Sequence, residues 1–513
     1  MTTLIPKFDL MNGGTTPTGA VNRAINLKLS ESISVLDFGA DSTGSASSVT
    51  AFNNAALNGG IIYVPSGTYK LDSKVSLTVS GTTLFLGANV TLIVSGVVAQ
   101  QSPFGSQIEI TGNNCAVIGS GPSSLIQNNA SYSNMITFKH QVGAYCANLT
   151  IDGDKSHLPS PTTDDTFGNA VFFLASSSQG VTTDQQGIIE NCTIKNMINY
   201  GIVVYGNQAN GTKILNNNIR EIGQTGITNS VGSGISISAG VSDVLISGNI
   251  IKNCKLKGIF IGSAGTSGAG YVISNNNCHQ NGQSGIAFNE QTDYFSVSGK
   301  GLYNITITGN VASGNGRSGI EFNVNSLGFL SYITITGNTC EGNTLYGLEV
   351  ASTNTYPNGY IDSVTISGNN CQDNTSTNIF VNPYVRRVEG YPMSFTPVIQ
   401  GTTTAGTGTY GNQYGTYTKV GSIVYFEIEI DWSAHTGTGN MQITGFPYVT
   451  INAEPQSSAW VWANNLTITG QATLNFISNQ TYATLGSINN GTYTALAMDT
   501  SATLRINGFY FTN

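Results

Sequence analysis

Charged residues are scarce in this sequence. Asp, Glu, Lys and Arg make up 9% of the 513 residues, whereas an average soluble domain has about a quarter. The net charge is −8 and no cluster of Lys and Arg occurs in the sequence, so a nucleic-acid partner is not expected. No apolar run reaches the ~18 residues of a membrane span. The N-terminus lacks the apolar core of a signal peptide, so we expect no membrane partner and synthesis in a cytoplasm.

Sequence patterns for metal binding and for an activated serine are missing as well. Only four His and seven Cys occur, and no two Cys form a Cys-x-x-Cys pair. The Gly-x-Ser-x-Gly motif, which would place an esterase serine on a sharp turn, is not found. The sequence therefore predicts no metal ion and no cofactor.

Asparagine, in contrast, recurs at regular intervals. The intervals within one set are 27, 31, 27, 34, 28 and 31 residues. The set consists of Asn191, Asn218, Asn249, Asn276, Asn310, Asn338 and Asn369. Each Asn opens a block that leads to Gly, an aliphatic residue, any residue and an apolar residue, as in Gly319-Ile-Glu-Phe322. Self-similarity at roughly 20–50 residues is typical of a solenoid, a propeller or an array.

Each block also holds two short runs of alternating apolar residues, such as Ile305-Thr-Ile-Thr308 and Ile320-Glu-Phe322. Such alternation favours strands with one buried face. Asn and Gly tolerate the left-handed backbone of tight bends, so we expect them at the corners between strands. The sequence therefore predicts an all-β fold in which short strands stack as a parallel β-helix, a solenoid.

The cysteines fit the same register. Cys278, Cys340 and Cys371 each lie two residues after an Asn of the set, and Ala312 occupies the equivalent position of another block. This pattern predicts an inward column of small apolar side chains, where free Cys packs well. We therefore expect the cysteines to be buried and not catalytic.

Three regions differ in pattern. Residues 1–33 form an opening segment, residues 34–388 carry the Asn blocks, and residues 394–513 show alternating strands between Thr- and Gly-rich turns. The last pattern predicts a β-sandwich. Within the opening segment, Val21, Ile25 and Leu29 follow a helical spacing, which predicts a short amphipathic helix.

Both ends of the chain carry recognisable motifs. Near the start stand Asp37-Phe-Gly-Ala40, a helix candidate from Val49 to Leu57, and Gly59-Gly-Ile-Ile-Tyr63. Near the end stand Tyr410-Gly-Asn-Gln-Tyr414 and Ile443-Thr-Gly-Phe-Pro447. Together these motifs resemble the pectate-lyase-like superfamily as found in bacteriophage tailspikes and tail fibres, and the resemblance extends over essentially the whole chain.

The resemblance implies a right-handed, single-stranded parallel β-helix whose open end is capped by the helix candidate, which hides strand edges. It also implies a homotrimer in the phage tail that binds, and often cleaves, a bacterial capsule or lipopolysaccharide O-antigen at the host cell surface. The opening segment would dock on a phage tail or adaptor protein. The family usually has an acidic pair where this chain has Ser47-Ser48, and we expect one of these serines to cap the helix.

Candidate acids can be located from the repeat. In a β-helix, equivalent positions on successive coils lie about 4.8 Å apart, and glycoside hydrolysis needs two carboxylates across the scissile bond. The position between the two apolar residues of each block should point outward. It holds Val203, Thr228, Phe260, Ala287, Glu321, Glu349 and Phe380. Glu321 and Glu349 are therefore predicted to stack as an acid/base pair.

Further residues of this region complete the predicted site. Glu290 and Asp293 follow the same strand of the preceding block as additional acids, and Phe260 and Tyr294 offer rings on which a sugar can stack. Asn323 and Arg317 are the remaining predicted substrate contacts. The alternative is structural: an outward Glu on a strand normally faces solvent, and a neighbouring Lys or Arg can neutralise it.

A second cluster competes with the first. Asp152-Gly-Asp154 ends a strand and opens a long insertion with further acids, and long loops are often functional. In this case Asp154 with Asp164 or Asp165 would be the acids, and Asp152 would be structural. The same Asp-Gly-Asp pattern is also ordinary turn chemistry. A polysaccharide lyase and a non-catalytic receptor-binding fibre remain as alternatives to a hydrolase.

Overall fold

The computed structural model of the protein describes two separate compact units. The described residues are 7–8, 23–24, 33–95, 105–128, 133–155, 168–223, 231–262, 266–290, 300–324, 328–352, 359–452 and 457–512. The first unit comprises Met1–Ile361 with Gly368–Phe380, and the second comprises Asp362–Ser367 with Val381–Asn513. The sequence-based boundaries at residues 33, 388 and 394 remain predictions.

The first unit is a solenoid of short parallel strands in three sheets, which we call A, B and C. Sheet A contains Thr43–Ser47, Gly67–Leu71, Val90–Val94, Ser124–Asn128, Thr150–Asp152, Thr193–Lys195, Asn218–Arg220, Ile250–Lys252, Asn277–His279 and Val311–Ser313. Sheet B contains Val75–Leu77, Ser106–Ile110, Asn134–Lys139, Val171–Leu174, Ile202–Tyr205, Ile235–Ser238, Ile259–Ile261, Ile286–Glu290, Ile320–Val324, Tyr346–Ser352 and Thr377–Val381. Sheet C contains Ile33–Ser34, Ile61–Val64, Thr83–Leu86, Ala116–Gly119, Tyr145–Ala147, Ile188–Glu190, Lys213–Leu215, Val244–Ser247, Gly268–Ser274, Gly301–Thr308 and Phe329–Thr336.

From Ile61–Val64 to Ile320–Val324 the strands follow one another along the chain in the order C, A, B. Every second residue of a strand points into the interior, where aliphatic and aromatic side chains from successive coils stack. For example, the rings of Phe288 and Phe322 lie 5.0 Å apart and nearly parallel. The predicted right-handed parallel β-helix is thereby confirmed.

The repeating asparagines form a buried ladder. Asn249, Asn276, Asn310 and Asn338 each donate side-chain Nδ2 and backbone N–H to the Oδ1 of the next member. Asn369 closes the series. Each buried amide is thus satisfied by its neighbours on adjacent coils, as buried polar groups require.

Two details of the Asn prediction are wrong. At the start of the ladder it is Asn217, not Asn218, that donates to Asn249, while Asn191 is exposed. The left-handed backbone also belongs to the residue before each ladder member, such as Asn275 and Gly309. The ladder Asn is selected for its amide, which can donate and accept at once, and the preceding residue makes the bend.

A second Asn ladder runs through the turns between sheets A and B. Asn281, Asn315 and Asn343 each donate Nδ2 and backbone N–H to the next Oδ1, and Asn374 ends the series. These are the additional Asn that many blocks carry. The ladder fixes the turn from which each strand of sheet B departs.

The Gly at or just before the start of several strands of sheet B has a different role from the expected left-handed bend. Gly319 and Gly347 do not adopt positive φ. A Cβ on Gly319 would lie 2.6 Å from the carbonyl oxygen of Gly347, and one on Gly347 would lie 2.5 Å from that of Asn378. Gly is therefore required by the close approach of successive coils and not by backbone handedness.

The predicted burial of the cysteines is confirmed. All seven Cys are free and buried, and Cys278 pairs in register with Ala312 on the next coil of sheet A. Burial raises the pKa of the Cys254 thiol to about 12, so this thiol stays protonated and unreactive near neutral pH.

At the N-terminal end, a 3₁₀ helix at Val35–Phe38 precedes an α-helix at Val49–Ala56. The α-helix buries Phe52 and four small apolar residues, which agrees with the capping helix expected there. The expected side-chain cap is wrong: Ser48 occupies the N-cap position without a capping hydrogen bond. Its hydroxyl instead accepts from the backbone N–H of Asp41, which holds the preceding turn.

The amphipathic helix predicted in the opening segment is not found where that segment is described. Arg23–Ala24 pairs with Lys7–Phe8 as a short antiparallel ladder. Strand pairing has replaced the helix at these residues, since a helix this short gains little without a packing partner. Val21, Ile25 and Leu29 lie outside the described residues. A further 3₁₀ turn is found at Ser177–Gln179.

The second unit contains two antiparallel sheets, which we call D and E. Sheet D contains Met393–Phe395, Gly408–Val420, Ile423–His435, Ala502–Phe511 and Ser458–Asn464. Sheet E contains Val398–Gly401, Met441–Thr444, Tyr482–Asn489, Gln471–Phe476 and Thr492–Ala495. They share one apolar core that includes Trp432, so the predicted β-sandwich is confirmed. Tyr360–Ser367 and Arg386–Glu389 also belong largely to this unit and pair in parallel.

Candidate active site

The two glutamates of the predicted acid pair lie side by side on sheet B. Glu321 and Glu349 pair in register on neighbouring strands, about 4.8 Å apart as any two such strands are. The residues on either side of Glu321 point into the interior and are fully buried. Both carboxylates therefore project from the outer face of the sheet.

These outer carboxylates are nevertheless buried. Glu321 is 3% exposed and Glu349 is 4% exposed, whereas an outward strand residue was expected to face solvent. A buried carboxylate needs hydrogen-bonding or charged partners. The local contacts supply both.

Arg317 bridges the pair. Its Nε lies 3.4 Å from Oε2 of Glu321, and its Nη2 donates to Oε1 of Glu349 at 3.0 Å. The hydroxyls of Ser284 and Ser318 donate to the Oε2 atoms of Glu321 and Glu349, respectively. Each carboxylate thus has one hydroxyl donor of its own and shares the cation.

The electrostatics of the pair follow from this arrangement. Burial is the largest influence on Glu349 and raises its pKa, and the neighbouring Glu321 raises it further. Ser318 and Arg317 act in the opposite direction but do not cancel the rise. Glu349 is therefore better able than an ordinary carboxyl group to hold a proton and donate it.

An aromatic residue lies on the same outer row, and a lysine from the preceding turn packs against it. Phe260 is two coils before Glu321 in register, with Ala287 between them. The Nζ of Lys257 lies 4.8 Å from the ring centroid of Phe260, a cation–π distance. Burial lowers the pKa of Lys257, while Glu321 opposes that shift.

The strand pairing shows that one predicted member of the outward row is wrong. Ser236, not Thr228, pairs with both Val203 and Phe260, and Thr228 lies outside the described residues. The connection before this strand is longer than in the other blocks, so an alignment based on spacing selects the wrong residue. Phe380 lies on the last strand of sheet B, Thr377–Val381.

The remaining residues of the predicted site are only partly brought together. Asn323 lies two residues beyond Glu321 on the same face of the strand. Its Oδ1 is buried and has no hydrogen-bond partner among the described residues. The backbone of Glu290 pairs with Val324, three residues further along than the glutamate row. Asp293 and Tyr294 lie outside the described residues.

The competing Asp-Gly-Asp cluster has structural contacts. Asp152 forms an ion pair with Lys195 at 2.8 Å and accepts from the Asn196 amide, and its pKa is lowered: burial opposes the shift, but these partners overcome it. Asp154 adopts a left-handed backbone and accepts from Gln127 at 3.4 Å. Asp164 and Asp165 lie outside the described residues, so this second proposal for the acids remains a prediction.

Sequence reasoning missed three polar residues of the glutamate site. Lys257, Ser284 and Ser318 each come immediately before the Gly that starts a strand of sheet B. The signal was present in the repeat, because the same position of successive blocks carries a polar side chain. The contact between this polar side chain and the outward glutamates depends on the geometry of the turn, which the sequence does not give.

Replacing Arg317 with Met should destabilise the β-helix in a pH-dependent way. Loss of the shared cation leaves two buried carboxylates facing each other. Because Arg317 is 40% exposed, we expect about 1–3 kcal/mol at pH 7, less than the cost of breaking a fully buried pair. Chemical unfolding monitored by circular dichroism measures this difference.

The sign of the pH effect follows from Glu349. Its raised pKa gives a contribution to stability that is fully present below the unfolded-state pKa and is lost as pH rises through the folded-state pKa. Removing Arg317 raises that pKa further, so the deficit of the variant should shrink between pH 7 and pH 4. Lys70→Met, at an exposed pair with Asp72, should show neither effect. A deficit of equal size at both pH values would contradict this account.

The described residues contain neither a cluster of metal-binding side chains nor a membrane-spanning helix. No three His, Cys, Asp or Glu side chains in this part of the chain are placed to hold a metal ion together. None of the helices found there has the length and apolar character needed to span a membrane.

Comparison with known proteins agrees with the fold. Residues 32–260 match the family model described as rhamnogalacturonase A/epimerase, pectate lyase-like, and residues 180–383 match that of the right handed beta helix region. Each match covers less than half of the chain, and both agree with the right-handed parallel β-helix described above. A search of curated proteins gives no match.

Solved structures with this β-helix include two tailspikes. The Dettilon tailspike protein is 17% identical, with 96% of each chain covered and a TM-score of 0.58. A mutant tailspike protein of E. coli bacteriophage HK620, in complex with a pentasaccharide, is 12% identical over 98% of this chain and 97% of that one, with a TM-score of 0.48. A Yersinia enterocolitica family 28 exopolygalacturonase is 16% identical over 69% of this chain and 67% of that one, with a TM-score of 0.41.

Proposed function

We propose that this β-helix protein is a phage tailspike that binds and depolymerises a bacterial surface polysaccharide, capsule or O-antigen, by glycoside hydrolysis. The observation that carries the proposal is the pair Glu321 and Glu349, in register on adjacent coils, each with its own serine hydroxyl donor. The fold shared along 96% of the chain with a tailspike protein supports it, as do the family motifs at both ends of the sequence.

In this proposal Glu349 is the general acid. Its raised pKa lets it carry the proton that the glycosidic oxygen takes up as the bond breaks. Glu321 is the nucleophile, and its carboxylate attacks the anomeric carbon to form a glycosyl-enzyme. Glu349, now deprotonated, then takes a proton from the water that releases the sugar.

The separation of the two residues determines the expected stereochemistry. Strand neighbours lie about 4.8 Å apart, close to the roughly 5–5.5 Å of retaining glycosidases and short of the roughly 6.5–9.5 Å of inverting ones. We therefore propose retention of the anomeric configuration. Arg317 and the two serines hold the carboxylates in place for both steps.

Binding without cleavage is the second candidate function. Arg317 contacts both carboxylates, and both are nearly inaccessible, which is the arrangement of a structural ion-pair cluster. In that case the protein is a receptor-binding fibre, and Phe260 and Asn323 remain as sugar contacts. A lyase is a third outcome of the same experiment.

The assembly and location follow from the tailspike proposal. Three chains would form a homotrimer in the phage tail, made in the host cytoplasm and acting at the host cell surface. Residues 1–33 would dock on a tail or adaptor protein, and residues 394–513 would trimerise or bind carbohydrate. Equal recovery of tail proteins with and without residues 1–33 in a pull-down would contradict the docking role.

The deciding experiment treats polysaccharides from a panel of capsulated and O-antigen-bearing bacteria with the purified protein. New reducing ends support a hydrolase. If nuclear magnetic resonance shows that the initial product has the same anomeric configuration as the substrate, the hydrolase is a retaining one. Ultraviolet absorbance of an unsaturated uronate would replace the hydrolase by a lyase. Binding to one polysaccharide with neither product would leave the receptor-binding function.

A further inference from the structure

A column of basic side chains runs along sheet A. Lys195, Arg220, Lys252 and His279 pair in register on four successive coils. This column is not evident from the Asn spacing, because Asn191 and Asn218 are not members of the ladder and the blocks of Lys195 and Arg220 are therefore out of register. Basic residues that are dispersed in the sequence therefore form a cluster in the folded chain.

The column lies on the outer face of the sheet. The residues just before its members, Ile194, Ile219, Ile251 and Cys278, point inward and are fully buried. Alternation along a strand places the next residue on the opposite face. Each of the four basic residues is half-buried, so this face presents cations and an imidazole about 4.8 Å apart along the solenoid.

Only the first end of the column is neutralised within the described part of the chain. Lys195 pairs with Asp152 at 2.8 Å. Arg220 donates to the amide oxygen of Asn218, and no ion pair is formed there by Arg220, Lys252 or His279. Like charges stacked in this way repel one another, and an anion on the column would relieve that repulsion.

The basic surface continues into the turn between sheets A and B. Lys255 and Lys257 follow Lys252 within five residues. Lys155 donates its ammonium group to the carbonyls of Glu221 and Gly223, in the corresponding turn of another coil. Seven of the chain's 19 Lys and Arg are thereby assigned to the column, this turn region and the glutamate site. They are Lys155, Lys195, Arg220, Lys252, Lys255, Lys257 and Arg317.

We propose that the outer face of sheet A from Lys195 to His279 binds an anionic glycan, one whose sugars carry carboxylates. The repeat of the cations follows the β-helix axis, so a linear polymer lies along it and reaches the turn that adjoins Glu321 and Glu349. This inference rests on the proposed glycan-binding function and specifies its substrate class.

The second outward row of sheet A favours a glycan over a nucleic acid. Thr193, Asn218, Ile250 and Asn277 occupy that row. Three of the four offer hydroxyl or amide groups, which suit sugar hydroxyls, and Ile250 adds an exposed apolar side chain. The row has no aromatic side chain on which bases would stack, a usual feature of single-strand binding.

The test compares binding of the full-length protein to polygalacturonate and to neutral dextran by biolayer interferometry. The column variant is Lys195→Gln/Arg220→Gln/Lys252→Gln. The matched control, Lys74→Gln/Lys213→Gln/Lys300→Gln, removes the same charge from three exposed lysines outside sheet A. Melting curves establish that both variants fold.

We expect the parent to bind polygalacturonate at least roughly tenfold more tightly than dextran, and the column variant to lose roughly 10- to 100-fold, because three charged contacts are removed. The control should lose less than about threefold, and added salt should weaken binding of the parent. No preference for the acidic polymer, or an equal loss in the control, would overturn the inference. Tighter binding of an oligodeoxynucleotide, lost in the column variant, would replace the glycan by nucleic acid.

The assay also separates this inference from the proposed hydrolysis, because binding does not require cleavage. Column-dependent binding to polygalacturonate without any cleavage of bacterial polysaccharides would retain the anion-binding face and remove the hydrolase. Cleavage of a polysaccharide by a protein that binds polygalacturonate no better than dextran would do the reverse.

Discussion

Glu349→Gln should lower the rate of polysaccharide cleavage by about 10²- to 10⁴-fold, the usual contribution of a general acid. The amide has the shape of the carboxyl group and can still accept from the Ser318 hydroxyl, so the fold should persist. It cannot supply a proton to the leaving oxygen. Initial rates of reducing-end release, with melting curves for both proteins, measure the effect.

A matched control is available on the same solenoid. Glu341 accepts from the Asn370 amide at an exposed position, away from the outward row of sheet B. Glu341→Gln should cleave at the parent's rate. Equal cleavage by parent and Glu349→Gln would remove Glu349 from the mechanism and favour the Asp154 cluster as the source of the acids.

Asn276→Ala should destabilise the β-helix by about 3–5 kcal/mol, because several buried polar groups lose their partners at once. The Asn276 side chain accepts from the backbone N–H and Nδ2 of Asn249 and donates to the carbonyl of Ile246 and to Asn310. Alanine can replace none of these bonds. The shift of the urea unfolding midpoint, at unchanged slope, gives the loss of free energy.

The neighbouring Asn277 provides the control for this substitution. It is the first residue of the strand Asn277–His279 of sheet A and is exposed on the outer face. Asn277→Ala removes the same atoms without leaving a buried amide unpaired, so we expect a change within about 0.5 kcal/mol. If both variants unfolded at the same urea concentration, the ladder would not be a source of stability.

The stacking of Glu321 on Glu349 could be predicted from the sequence, whereas their surroundings could not. Both residues hold the same position in consecutive blocks, and a parallel β-helix puts such positions next to each other. The block that includes Thr228 was misaligned because its turn differs in length. Backbone hydrogen bonds set the register between strands. When turns differ in length, the spacing of residues along the sequence does not reveal that register.

The repeat, the inward apolar and cysteine columns and the pairing of the two glutamates follow from the residue at each equivalent position of the blocks, and the β-sandwich follows from the alternating strands of residues 394–513. The bridging of both carboxylates by Arg317, their burial and the alignment of the basic residues of sheet A are evident only in the folded chain. These features depend on how the turns place side chains from different coils. Strand pairing between coils sets those positions, and it forms only when the chain folds.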